Sequence, residues 1–267
     1  PLSGAYAQSG IYSVWDEVAG SPDAASDAGI PFDSADIGGW ASEVTDFSPT
    51  VNQGPGDGLG VLGPRDGSLV SLGDLTAAQI TANEAVGSIT LGFGEAISDR
   101  PGWDFAVFEN GFAFDGGLFA EVGFVEVSSN GSDFARFPAI SNLTGPTAPG
   151  FGGGFQGFDT SQQFNLAGKH VGSLGTPFDL SQLAGDSMVL DGLLDLDAIT
   201  QLRMVDIPGD GSFTDSLGQP IFDNWPTSGS GGLDLDAVAF RAAPVPEPAA
   251  ATLLIAGIAG LALGRRR

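Results

Sequence analysis

From Val61 onward, short apolar runs bounded by polar and turn residues become dense and mark strands, and one of them alternates with a period of two. Val122-Gly123-Phe124-Val125-Glu126-Val127-Ser128 follows this pattern and predicts a half-buried strand over Glu121 to Ser128. Further strands are predicted at Leu69 to Leu72, Ser88 to Phe93, Trp103 to Glu109, Phe134 to Ile140, Leu202 to Ile207 and Leu233 to Arg241. Ser129-Asn130-Gly131-Ser132 is a turn, because Asn-Gly readily takes positive φ, and it joins two of these strands as a hairpin. Thr76 to Val86 is the one good helical stretch before the C-terminal tail. Ile11 to Pro64 reads as loop-rich, with Gln53 to Gly60 solvent-exposed, and Gly145 to Gly157 reads as a long surface loop. Many short strands and few helices predict an all-β fold, a β-sandwich or jelly roll with long loops. One short echo occurs, Leu194-Asp195-Leu196-Asp197-Ala198-Ile199 against Leu233-Asp234-Leu235-Asp236-Ala237-Val238. Two copies of six residues are too few for a repeat architecture.

Composition sharpens this reading. The 42 Gly and 19 Phe fit short apolar strands punctuated by turns. The formal net charge is −24, and three of the nine basic residues are the last three, Arg265, Arg266 and Arg267. Such a field repels nucleic acid and anionic lipid and attracts cations. A nucleic-acid partner is therefore excluded, while plain solubility in an outside medium accounts for much of the charge. The chain has no cysteine, which removes disulfides, thiolate zinc sites and thiol catalysis.

The two ends carry targeting signals. Ala5-Tyr6-Ala7 before Gln8 fits the small-x-small pattern of a signal-peptidase site, which would make residues 1–7 a signal-peptide remnant and 8–243 the folded domain. Residues 244–267 hold Pro246-Glu247-Pro248, an uncharged run over 249–264, and the terminal Arg265, Arg266 and Arg267. Sixteen helical residues span about 24 Å, a little short for a bilayer core. The arginines snorkel and stay cytoplasmic, which places the preceding domain outside. This arrangement resembles the PEP-CTERM sorting signal. The resemblance implies an exported Gram-negative surface or extracellular protein, with its C-terminal hydrophobic helix held transiently in the inner membrane. The implied partner is an exosortase, a membrane peptidase that reads Pro246, Glu247 and Pro248.

The body shows a second resemblance. Val61-Leu62-Gly63-Pro64-Arg65-Asp66-Gly67 with Val70 to Gly73, Trp103 to Asn110, Val125 to Phe134 and Leu235 to Phe240 are similar, in order, to pieces of the galactose-binding-like jelly rolls. That class includes discoidin-type and many carbohydrate-binding modules. It implies a calcium ion between the early Asp-Gly loop and the last strand, which points to Asp66 and to Asp234 or Asp236. Where those modules often carry further Asp and Thr, this chain has Ser68 and Ser71. Period-two geometry puts Asp234 and Asp236 on one face of an extended segment, as joint ligation requires. Asp104, Glu109 and Asn110 form a second oxygen-rich group suited to a hard cation. A solvated acidic strand is the competing explanation for all of these.

Other chemistry has weaker support. His170 is the only histidine and no G-x-S-x-G elbow occurs, so a nucleophilic triad lacks its parts. Gly152 to Gly157 matches G-x-G-x-x-G without the flanking strand and helix that a phosphate site needs. Asp206, Asp210 and Asp215 lack the EF-hand pattern and read as a turn. Trp15, Trp40, Trp103 and Trp225 are the tryptophans available to stack on sugar rings. Trp225, in a loop, is the ligand-contact candidate, against the alternative of a plug beneath that loop. Two functions stand: a non-catalytic, calcium-stabilised surface protein that binds extracellular polysaccharide, or a secreted polysaccharide hydrolase using a carboxylate pair.

Overall fold

In the computed structural model, residues 28–50, 57–143, 156–227 and 229–243 are described. Residues 1–7 and the whole 244–267 tail, including the helix expected at 249–264, lie outside them, as does Trp15. Among the described residues, no helix is long and apolar enough to cross a membrane.

The fold is a β-sandwich of two antiparallel sheets. One sheet runs β1 (Ile30–Pro31), β13 (Leu174–Phe178), β6 (Phe105–Glu109), β17 (Asp234–Arg241) and β2 (Ile37–Trp40), with β4 (Val70–Ser71) also paired to β17. The other runs β10 (Ala135–Arg136), β9 (Gly123–Ser128), β14 (Ile199–Asp206), β5 (Ser88–Ile97) and β3 (Glu43–Ser48). All the pairings in these two sheets are antiparallel. Three small two-stranded ribbons complete the strands: β7 (Phe112–Phe114) with β8 (Gly117–Phe119), β11 (Ile140–Ser141) with β12 (Gln163–Phe164), and β15 (Asp210–Thr214) with β16 (Pro220–Phe222).

The inner faces interdigitate in one core. Phe105, Val107, Leu235, Val238 and Phe240 from the first sheet meet Ile89, Leu91, Val125, Val127, Leu202 and Met204 from the second. Phe105 stacks on Phe178 at 5.1 Å, and Phe137 meets both rings edge-on, which seals one end. Burying a large apolar side chain contributes about 1.5–3 kcal/mol, so this layer dominates the sandwich's stability. A smaller apolar cluster of Leu118, Ala120, Val122, Phe124, Leu166, Ile207 and Ile221 lies beside it, built from loops and ribbons. That added layer is why β9 is buried along its whole length.

The predicted strands after Val61 all form, with shifted ends. The Asn130–Gly131 turn does close a hairpin, Ala135 facing Val127. The strand expected over Phe134 to Ile140 divides into β10 and β11, because Phe137 turns inward to join Phe105 and Phe178. The predicted helix shortens to α1 (Ala77–Thr81), with a Thr76–Gln79 capping box at its start and Asn83 at φ 57 just past its end. A second short helix, α2 (Ser187–Leu190), is capped by Asp186. The segment read as loop-rich before Pro64 contains β1, β2 and β3, three edge strands too short and too polar to show a period.

Candidate functional site

β6 and β17 run antiparallel, so Glu109 at the end of β6 lies opposite Leu235 at the start of β17. At this same end of the sandwich β14 finishes at Asp206, and Glu121 lies just before β9. Asp74 follows β4, and Asp223 follows β16. Six carboxylates therefore converge: Asp74, Glu109, Glu121, Asp206, Asp223 and Asp234, each 7% exposed or less.

Backbone amides hold them in place. Gly111 N–H donates to Glu109 Oε2 at 2.7 Å, Val122 N–H to Asp223 Oδ2 at 2.7 Å, and Leu233 N–H to Asp206 Oδ1 at 2.8 Å. Thr227 joins two of the acids: its amide donates to Asp74 Oδ2 at 2.9 Å and its hydroxyl to Glu121 Oε1. Asn110 Nδ2 donates to Asp234 Oδ2 at 3.2 Å. Yet several oxygens stay unsatisfied in the interior. Glu109 Oε1, Asn110 Oδ1, Asp206 Oδ2 and Asp234 Oδ1 are buried without a hydrogen-bond partner. A buried polar atom left unpaired costs about 1–3 kcal/mol, and these four oxygens are acceptors that a donor or a cation could satisfy.

The electrostatics agree. Burial raises the Glu109 carboxyl well above its ordinary range, and the neighbouring Asp234 raises it further. Burial and then Asp234 do the same to Glu121. Asp206 and Asp223 are pushed well up, first by burial and then by neighbouring acids, with Asp74 common to both. Asp74 itself rises to about 6, mainly through burial. Burial also raises Asp234, against hydrogen bonds that lower it.

The described arginines pair with other groups, although Arg65 borders the cluster next to the Glu109 carbonyl. Arg136 and Arg203 both pair with Glu126, Arg65 pairs with Asp236, and Arg100 and Arg241 bond carbonyls at the opposite end of β6 and β17. Lys169, the only lysine, is fully buried beside the cluster: a Cβ built on the adjacent Gly168 would lie 2.0 Å from the Glu121 carbonyl oxygen. One ammonium cannot offset six carboxylates. The cluster must hold protons or take up a cation.

The expected metal residues separate into three places. Glu109, Asn110 and Asp234 come together, each presenting an unpaired oxygen. Asp236 and Asp66 form a neighbouring loop anchor: Asp236 Oδ1 accepts the amides of Asp66 and Gly67 at 3.3 and 3.1 Å, and Arg65 Nε sits 3.1 Å from Oδ2. Asp66 is exposed and caps Ser68 N–H at 2.8 Å; hydrogen bonds from Ser68 lower its pKa. Asp104 is at the far end, about 17 Å from Glu109 at the usual rise per residue of a strand, so the two cannot share an ion. There it gathers with Asp99 and Asp179, three carboxylate oxygens lying within 4.8 Å of one another. Asp104 accepts the amides of Arg100 and Leu180 at 2.9 and 2.8 Å, and Asp179 accepts that of Ser181, so this trio caps loops. Burial raises Asp104 to about 7.

Trp225 is half-buried, and its indole N–H donates to Leu75 C=O at 2.8 Å beside the acid cluster. His170 is buried, with Nδ1 3.1 Å from Thr176 Oγ1. Sequence reasoning missed Asp74, Glu121, Asp206 and Asp223 as members of one site. Each sits at a strand end where an isolated acid looks like a turn residue. The available signal was Thr227 with Gly231-Gly232 directly before Leu233-Asp234, a small-residue approach to the last strand. No family model matches this chain, and no curated protein matches it significantly.

Proposed function

We propose that this chain is an exported, non-catalytic surface or matrix protein whose sandwich is locked by calcium and engages extracellular polysaccharide. The observation that carries the calcium reading is the trio of unpaired oxygens on Glu109, Asn110 and Asp234, where β6 meets β17 among further buried acids. Calcium takes six to eight oxygen ligands in flexible geometry, and the surrounding donors are carboxylate, amide and backbone oxygens. The chain has no thiol, and its one imidazole faces Thr176, so the donor set suits a hard cation over zinc or copper. Bound there, calcium would supply the positive charge that Lys169 alone cannot, and would tie the last strand to β6 and to the Glu121 loop. The galactose-binding-like jelly roll is the fold type within the sandwich that this placement favours. Export and processing by an exosortase rest on Pro246-Glu247-Pro248 and the terminal arginines, and the polysaccharide partner rests on the resemblance.

The hydrolase alternative is less well supported. Its strongest carboxylate pairs are sealed at 7% exposure or less, where no glycoside can reach them. A groove of about 470 Å³, lined by Asp36, Arg100, Pro101 and Arg241 among others, contains a single carboxylate.

Thermal unfolding of the full chain in mild detergent tests the reading. Ligand at one hundred times Kd adds about 2.7 kcal/mol, so the midpoint should rise by about 5–10 °C with calcium over chelator. The rise should vanish in Glu109→Gln with Asp234→Asn. An unchanged midpoint in the wild-type chain would discard calcium as the lock.

A further inference from the structure

Among the described residues, three arginines are paired with acids: Arg65 with Asp236, and Arg136 and Arg203 with Glu126. Arg100 and Arg241 form no ion pair there. In a chain with 33 acids and nine bases, two such cations stand out, and the fold puts both in one place. Arg100 lies just past β5 and Arg241 ends β17, and both line the groove of about 470 Å³. That volume is in the range of small-ligand clefts. Ala35, Pro101 and Ala242 supply small apolar walls, and Asp36 is the only carboxylate in the lining. Asp36 is exposed and pairs with neither guanidinium. The groove is separate from the acid cluster, because Arg241 and Asp234 are at opposite ends of β17.

Protein carbonyls fix both guanidiniums. Arg241 Nη1 donates to the Pro101 carbonyl at 2.7 Å and, at 3.5 Å, to that of Trp103, around a turn made by Gly102 at φ 89. Its Cζ stands 5.8 Å from the centre of the Trp103 ring. Arg100 Nη1 donates to the Arg241 carbonyl at 3.4 Å. The walls are tied by the Arg241 amide on Asp104 C=O and the Ala242 amide on Asp36 C=O, both at 2.8 Å. Asp104 spends its carboxylate on the amides of Arg100 and Leu180. Each guanidinium therefore keeps Nε and Nη2 without a protein partner. Arg136 uses this same edge to hold Glu126. It is the edge that grips a carboxylate with parallel hydrogen bonds.

We propose that this groove binds the carboxylate of an acidic sugar, held between Arg100 and Arg241. The inference rests on the polysaccharide partner proposed above, and it gives that partner a charge and a place. The chain's net charge of −24 repels a densely charged polymer, so the fitting ligand is a glycan whose uronate sugars are spaced by neutral ones.

The test is isothermal titration of the full chain in mild detergent at one fixed calcium concentration. The probes are hyaluronan octasaccharide, in which glucuronate alternates with a neutral sugar, and the same octasaccharide with its carboxyls reduced to alcohols. Hyaluronan should bind, and the reduced form should bind more weakly by about tenfold or more. Arg100→Gln and Arg241→Gln should each lower the affinity for hyaluronan by about tenfold and leave that for the reduced form unchanged. Arg136→Gln, outside the groove, should change neither. Arg241→Lys, which keeps the charge without the fork, serves as the second variant if Arg241→Gln fails to fold, and it should also weaken hyaluronan binding. Equal binding of the two octasaccharides overturns the arginine groove and leaves the polysaccharide partner standing. Hyaluronan binding that survives the changes at both arginines overturns this assignment. Failure of both octasaccharides to bind also overturns the groove, and failure of neutral dextran and galactan as well overturns the polysaccharide partner with it.

Discussion

Asp236 Oδ1 accepts the amides of Asp66 and Gly67, and Oδ2 forms an ion pair with Arg65 Nε at 3.1 Å without a hydrogen bond of good geometry. Its neighbour Asp234 keeps Oδ1 unpaired. Two aspartates two residues apart on β17 thus do different work. Asp236→Ala should cost about 2–3 kcal/mol in denaturant unfolding, because it strands a charged guanidinium and two amides, with Arg65's 27% side-chain exposure softening the loss. Asp236→Asn should nevertheless keep the calcium-dependent rise in midpoint, whereas Asp234→Asn should reduce it. If Asp236→Asn abolishes the rise and Asp234→Asn spares it, the assignment of the two residues is reversed. Both aspartates were legible in the sequence as paired by period two. Which one is free for an ion depended on Arg65 arriving from about 170 residues away in the chain, and no local pattern records that.

At the scale of elements, one hexapeptide pattern takes two structures. Leu233 to Val238 enters β17 between β6, β2 and β4, and is buried on both faces. Leu194 to Ala198 forms a turn, where Asp197 N–H bonds Asp195 Oδ1 at 3.0 Å, and Ile199 begins β14. Side-chain pattern supplies the same weak strand preference to both; the presence of partner strands decides. The turn after β14 is constrained from outside in the same way. Gly209→Ala would drive a Cβ into Asp223, 1.7 Å from Oδ1 and 2.6 Å from its backbone nitrogen. Overpacking of this kind costs about 1–3 kcal/mol, read as a lower denaturant midpoint. Gly185→Ala, with nothing within 4 Å of its Cβ, should stay within about 0.5 kcal/mol of wild type. Equal losses in the two variants would show that the cluster's packing is not what Gly209 serves.

For the whole molecule, the buried acids set an unusual pH response. Asp74 titrates at about 6 and Asp104 at about 7 in the folded chain, with Glu109, Glu121, Asp206 and Asp223 pushed well above their ordinary values. Unfolded carboxyls titrate near about 4. Between those values the folded chain holds protons that the unfolded chain has released, so stability falls as pH rises. Chelated protein should therefore melt at a higher temperature at pH 5 than at pH 8. Calcium competes with those protons, so its stabilising effect should be greater at pH 8. A chelated midpoint that climbs from pH 5 to pH 8 would mean the cluster is ionised and paired without metal. By itself the sequence determined the all-β class, the positions of β4, β5, β6, β9, β14 and β17 and the surplus of acid over base, because turn residues, apolar runs and charge are local and additive, whereas β13 and the ribbon strands β7, β8, β12, β15 and β16 carried no such signal. The short polar edge strands before Pro64 were illegible for the same reason, since pairing to a sheet already formed is what orders them. Only the tertiary structure decided which acids matter. Long-range antiparallel pairing brought six strand-end carboxylates from distant parts of the chain into one dry space, and removal from water, set by the whole fold, separates a cation site from a row of solvated turns.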